Sequence, residues 1–250
     1  MKKTLCLMMV LLGLHCQSSV MAGEKIKWVT AELPPFVWQQ NNTPHGYAYE
    51  LMAAMSVQLG RTPDLTFYPW ARAVKIASEG NSYGIFPLAR TPDREHHYKW
   101  LIPITTVKYT FFGRQPALPG KTSIEHASLE QLSLLRIGLL RGSPVAQYLQ
   151  AKNFRHIVYE KSYQDLLKML ALGGIDAIYA GYPMLTAAIE EYGFRFEDVC
   201  TGPSLGSAEL YLAASIGLDE EEERTWKHAY EALLKDGTVS RLQNKYWPVN

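Results

Sequence analysis

The sequence predicts an α/β protein made of two units in tandem, and three observations carry that prediction. Short β-type runs alternate with runs of helical period twice over, first across residues 26–88 and again across residues 135–180. Glycines stand where the predicted helices should stop, at Gly60, Gly80 and Gly173-Gly174. A wholly helical stretch, from Asp219 onward, follows the second unit. Strands alternating with helices argue for a mostly parallel sheet in each unit, with helices packed against it.

The elements follow in order. Residues 26–30 read as a strand, and Pro34-Pro35 opens a loop. Residues 47–59 read as a helix that places Leu51, Ala54, Met55 and Leu59 on one face. A strand over 65–68, a helix over 71–78 and a strand over 84–88 complete the first unit. The second unit has strands at 135–139, 157–159 and 175–180, and a helix over 143–150. Its second helix starts at Ser162, a good N-cap, and turns Leu166, Met169 and Leu170 inward. In the helical stretch, Trp226, Tyr230, Leu233 and Leu234 align over 219–234, and Glu220–Glu223 suit the positive end of the helix dipole. The charge run from Glu220 to Arg224 reads as a solvated face. A last short helix covers 238–246.

Composition sets the class. The chain has 250 residues, 47% apolar and 20% charged, with a formal net charge of +1. That is enough apolar material for a real core. It gives no clustered basic face for nucleic acid. The N-terminus reads as a secretory signal: Met1-Lys2-Lys3, an apolar stretch over 4–14 that is too short to span a bilayer, and a small-residue site at Val20-Met21-Ala22. Cleavage after Ala22 leaves 23 basic and 24 acidic residues, a charge of about −1, with Gly23 first. An uncleaved anchor and a lipidated Cys16 are the alternatives. The mature chain keeps only Cys200, read as a buried thiol with no disulfide partner. The chain is expected in the periplasm.

Five phrases, in order, resemble one family. They are Trp28-Val29-Thr30-Ala31-Glu32-Leu33-Pro34-Pro35-Phe36, Gly46-Tyr47-Ala48-Tyr49-Glu50-Leu51, Arg90-Thr91-Pro92-Asp93-Arg94-Glu95, Gly173-Gly174-Ile175-Asp176-Ala177-Ile178, and Leu233-Leu234-Lys235-Asp236-Gly237-Thr238 with Lys245-Tyr246-Trp247 after it. Their order and spacing are similar to the family 3 extracellular solute-binding proteins that serve polar amino-acid ABC transporters. The resemblance implies the type II periplasmic-binding fold, a two-lobed clamshell. Lobe one would take residues 23–113 plus 211–250 and lobe two residues 118–207, with hinges near 112–117 and 207–211. It implies a small-molecule ligand held between the lobes by hinge closure. It also implies a monomer that meets an ABC permease or a membrane sensor. A periplasmic enzyme of the cyclohexadienyl dehydratase type and a ligand-sensing accessory subunit are the other functions such a chain can have.

The resemblance places Arg94 where family members grip a ligand carboxylate, which a planar guanidinium binds in bidentate fashion. Thr91 stands three residues earlier and is read as shaping that turn. The chain departs from the family at Ala89, where a hydroxyl residue often stands, and at Gly181, where many members carry an aspartate for an α-ammonium group. A standard α-amino acid therefore fits poorly unless another acid supplies the charge. Glu32, at a strand end facing the expected cleft, is the leading substitute. Phe36 and Trp70 are candidate ring contacts, Arg72 a candidate anion contact, and Ser143 with Gly142 a candidate source of backbone N–H groups at a helix start. No catalytic residue, metal site or cofactor is assigned. His96 and His97 are adjacent and point apart, and Gly202–Gly206 lacks the strand–turn–helix setting of a nucleophile elbow and is read as the hinge return.

Overall fold

The computed structural model describes residues 25–117, 120 and 123–247. The expected leader over residues 1–22, with its cleavage after Ala22, lies outside the described residues. The first unit runs β1 (Lys27–Thr30), a hairpin of β2 (Trp38–Gln40) and β3 (Thr43–His45), α1 (Tyr47–Gln58), β4 (Leu65–Phe67), α2 (Trp70–Glu79) and β5 (Tyr83–Ala89). Strand β1 lies parallel between β4 and β5, with Trp28 opposite both Leu65 and Gly84. Gly84 is needed there because a methyl group would collide with the Trp28 indole. Helix α1 starts at Tyr47 for a local reason. Gly46 turns at φ +114°, and the first helical N–H groups find loop acceptors: Tyr47 donates to Pro35 O (3.1 Å) and Ala48 to Phe36 O (2.9 Å).

Next come the long strand β6 (Tyr98–Arg114), α3 (Leu129–Ser133), β7 (Ile137–Leu140), α4 (Val145–Ala151), β8 (Ile157–Glu160), α5 (Tyr163–Ala171), β9 (Ala177–Gly181) and α6 (Tyr182–Glu191). A second long strand, β10 (Val199–Ser215), leads to α7 (Glu220–Lys235) and α8 (Thr238–Tyr246). Ser162 caps α5 as expected, accepting from Asp165 N at 3.1 Å. Helix α6 is not anticipated by the sequence reading. Pro183 in its first turn is the signal that could have found it.

All strands but the hairpin join one eight-stranded sheet in the order β4-β1-β5-β10-β6-β9-β7-β8. Its two ends are parallel, and the middle is antiparallel. The α/β clamshell predicted from the sequence is therefore present, but its two sheets are fused. The fusion is made by β6 and β10, each of 17 residues and paired with each other along their length. Strand β10 pairs with β5 from Leu210 to Ala214, and β6 pairs with β9 from Tyr109 to Gly113. Gly202–Gly206, read from the sequence as a hinge return, lies inside β10. The register slips there, between Thr201 and Ser204 and again before Ser207.

One expectation is corrected on α7. Glu222 belongs to the charge run read as a solvated face, yet it is buried. Its carboxylate accepts from Arg61 Nη1 (2.5 Å) and Nη2 (2.9 Å), from Trp226 Nε1 (2.8 Å) and from Ile26 N (3.3 Å). Glu222 heads the stripe Glu222, Trp226, Ala229, Leu233 that turns toward α1 and β6, with Trp226 edge-on to Trp28 of β1, so burial follows from helical period rather than from charge. Among the described residues, no helix is long and apolar enough to cross a membrane.

Candidate functional site

The turn after β5 carries Arg94. Its backbone N–H donates to Thr91 O (3.0 Å), so Thr91 closes this turn, and Arg94 O accepts from His97 N (3.0 Å). The Arg94 side chain is 7% exposed. Its guanidinium donates to Ala89 O (3.3 Å) and, across to the other unit, to Gly142 O (2.9 Å). Those are two of the five N–H groups it carries. Among the described residues no carboxylate lies within ion-pair distance of it. Burial holds its pKa below the usual arginine range, against the pull of Tyr98, Tyr109 and Asp93. A buried cation with spare donors and no counter-ion can accept an anion.

Gly142 supplies the other wall. It turns at φ +84° after β7, and a Cβ there would sit 2.9 Å from Ala71 Cα at the start of α2. Arg94, Gly142, Ser143 and His97 line a cavity of about 640 Å³ between the two units. A second cavity of about 400 Å³ lies beside it and shares Asp93, Pro144 and Gln147 with the first. Thr91 and Tyr109 line this second space.

Of the residues singled out in the sequence, Arg94, Thr91 and Ser143 are brought together here. Ser143 does not offer a helix-start N–H: its N–H donates to Leu140 O (3.0 Å), Pro144 has none, and α4 begins only at Val145. The other four lie elsewhere. Phe36 has no exposed surface and packs on Trp247 at 5.8 Å. Trp70 is 4% exposed within the core, and Arg72 lies over the Tyr68 ring at 4.9 Å. Glu32 lines neither cavity. It accepts from Gln39 N (2.9 Å) and Gln39 Nε2 (3.2 Å). Burial pushes its pKa up; the Gln39 bonds oppose this and the charge of Glu191 on α6 adds to it. Gly181 is buried, with the Met184 methyl in the space a side chain would take. Sequence reasoning missed Tyr109, Tyr179 and the Gly142 carbonyl. The first two sit on strands whose long antiparallel partners were not recognised, and a carbonyl leaves no mark in a sequence.

Two open-ended α/β halves joined by paired strands, with a buried cation at their junction, define a solute-binding clamshell. The chain belongs to the bacterial extracellular solute-binding proteins, family 3, whose family model matches residues 26–249. Solved structures share the fold. An ancestral arginine-binding protein bound to arginine is 19% identical, with 89% of this chain and 98% of that chain covered and a TM-score of 0.76. A histidine kinase sensor domain with similarity to periplasmic binding proteins is 21% identical, covers 90% and 96%, and has a TM-score of 0.77. An arginine third transport system periplasmic binding protein from Legionella pneumophila is 18% identical, covers 89% and 99%, and has a TM-score of 0.75. The sequence matches no curated protein sequence.

Proposed function

We propose that this protein captures a small anionic solute between its lobes and delivers it to a membrane transporter from the periplasm. The observation that carries the reading is the buried Arg94 guanidinium, which has donors to spare and no carboxylate partner among the described residues. A ligand carboxylate at that point would neutralise it and fill its fork. Because Arg94 already reaches Gly142 O in the second unit, the same group would couple binding to closure. The absence of an acid at Gly181, together with the commitment of Glu32 to Gln39, supports an organic acid over a standard α-amino acid. Family membership supports binding rather than turnover, and transport as the purpose.

The proposed lobes pivot where the central strands change neighbours. On β6 that is between Thr105 and Tyr109, and on β10 around Ser207–Leu210. A thermal-shift screen of the purified protein against carboxylates, amino acids and amines tests the function, since a ligand bound by the folded state alone raises the melting temperature. Carboxylates should shift it and Arg94→Ala should abolish the shift. A shift from amines alone, kept in Arg94→Ala, refutes the anion reading.

A further inference from the structure

The Thr91 hydroxyl is buried and has no hydrogen-bond partner. Buried hydroxyls are nearly always satisfied by protein, water or ligand. Thr91 sits in the wall of the 400 Å³ cavity, a volume within the range of small-molecule pockets. The rest of that wall is largely aromatic and aliphatic: Tyr109, Tyr148, Tyr179, Val145 and Leu205. Two of its rings are held in place by packing. Tyr109 and Tyr179 are 5.6 Å apart and tilted by 35°, and Phe111 backs Tyr179 at 4.6 Å. The Tyr179 hydroxyl is spent on Leu205 O, so Tyr179 offers the cavity its ring rather than its oxygen.

The charges around this space are already placed. Arg90 is held by Glu95, Nε to Oε2 at 2.9 Å, and Asp93 is exposed. Neither serves a buried charge on a ligand. The anion site adjoins the cavity, because the space lined by Arg94 and this one share Asp93, Pro144 and Gln147. A molecule anchored on Arg94 can therefore extend into a space walled by rings, with the buried and unmatched Thr91 hydroxyl among its lining.

We propose that the solute is an aryl carboxylate, its flat ring against the wall formed by Tyr109, Tyr148 and Tyr179 and a polar substituent on that ring bonded to the Thr91 hydroxyl. This rests on the anion reading of Arg94. Ring faces and edges favour another flat ring over an alkyl chain of equal size, and a neutral ring displaces water from a wall that gives it few hydrogen bonds.

Calorimetry on the purified full chain tests it with benzoate, phenylacetate and 3-phenylpropionate, their para-hydroxy forms, and propionate and L-glutamate for comparison. The best aryl acid should bind at least tenfold more tightly than propionate or glutamate, and its para-hydroxy form more tightly again. Thr91→Val keeps the shape and removes the hydroxyl, so it should erase the preference for the para-hydroxy form. Tyr148→Ala, which removes one ring of the wall, should weaken the aryl acids by more than it weakens propionate. The proposal is overturned if propionate matches the best aryl acid, if no aryl acid binds, or if Tyr148→Ala leaves aryl binding intact. The result that overturns the anion reading itself is different: aryl binding that survives in Arg94→Ala.

Discussion

Two buried charged groups in this molecule have opposite surroundings. Glu222 accepts four hydrogen bonds, two of them from Arg61, and every partner belongs to the first unit or to α7 packed on it. Arg94 makes two bonds, both to backbone carbonyls, and one of those carbonyls belongs to the other unit. A buried charge that is fully matched inside one rigid body holds that body together. One that is half matched across the boundary between two units can be completed by something else. Burial alone does not separate the two cases, since Glu222 is 6% exposed and Arg94 7%. Partner count and partner location do.

The largest effect that would break this contrast is on Glu222. In Glu222→Ala the Arg61 guanidinium, the Trp226 indole N–H and the Ile26 N–H lose their acceptor together. Removing one member of a buried pair costs about 3–5 kcal/mol. Urea denaturation at pH 7 should show that loss, while the variant, where folded, should bind ligand with unchanged affinity. A loss under about 1 kcal/mol would place Glu222 among ordinary surface acids.

Arg94→Ala should do the reverse. Ligand affinity should fall by roughly two to three orders of magnitude, because about 3–5 kcal/mol is at stake and 1.4 kcal/mol is tenfold. Stability of the ligand-free protein should change by less than about 1 kcal/mol, since only two carbonyl bonds are lost and an unneutralised cation goes with them. Arg94→Lys should recover part of the affinity, as it keeps the charge and loses the fork. If Arg94→Ala unfolds the protein, the guanidinium is structural and the contrast fails.

These two residues also mark how far the sequence could be read. Alternating strand and helix runs, with glycine stops, located α1, α2, α5, α7 and α8 to within a residue or two, because local period and capping decide those elements. Arg94 stood out because its turn resembles one in the family. The cavity that it adjoins did not. Tyr109 and Tyr179 are 70 positions apart in the sequence, and only the long pairing of β6 with β9 and β10 sets them side by side. Those strands hold Pro103, Gly113, Gly202 and Gly206, which locally read as breaks. Glu222 was hidden for the opposite reason. It stands in a run of five consecutive acids, Asp219–Glu223, and only its spacing from Trp226, Ala229 and Leu233 shows the face it takes.

A pH titration sharpens the contrast further. Burial alone would raise the Glu222 pKa, but hydrogen bonds from Arg61, Trp226 and Ile26 outweigh it and hold the carboxyl below its ordinary value of 4.5. The folded state thus binds the proton less well than the unfolded state. The stabilisation is complete above the unfolded pKa and is lost as pH falls through the folded one. Urea denaturation between pH 7 and pH 3 should show the parent chain losing stability more steeply than Glu222→Gln below about pH 4.5. Parallel curves would mean that the carboxylate charge contributes nothing. Arg94 stays protonated throughout this range and adds no slope of its own.

The smallest expected effect concerns the boundary that Arg94 spans. Gly142 turns at φ +84°, so Gly142→Ala introduces backbone strain of about 1 kcal/mol whether the cleft is open or closed. Its Cβ would also lie 2.9 Å from Ala71 Cα on α2, a burden expected to fall on the closed form if closure is what brings the Gly142 turn against α2. That contact involves backbone and cannot be relieved by a rotamer change. The variant should therefore lose about 1 kcal/mol of stability in the ligand-free state and, in addition, bind ligand roughly tenfold more weakly, which corresponds to about 1.4 kcal/mol of impeded closure. Small-angle scattering with saturating ligand should give a larger radius of gyration for Gly142→Ala than for the parent chain, and equal radii without ligand. The same stability loss with unchanged affinity and equal radii in both states would show that the Gly142 turn does not move relative to α2. The bond from Arg94 to Gly142 would then be as permanent as the one from Arg61 to Glu222, and the distinction between the two buried charges would rest on partner count alone.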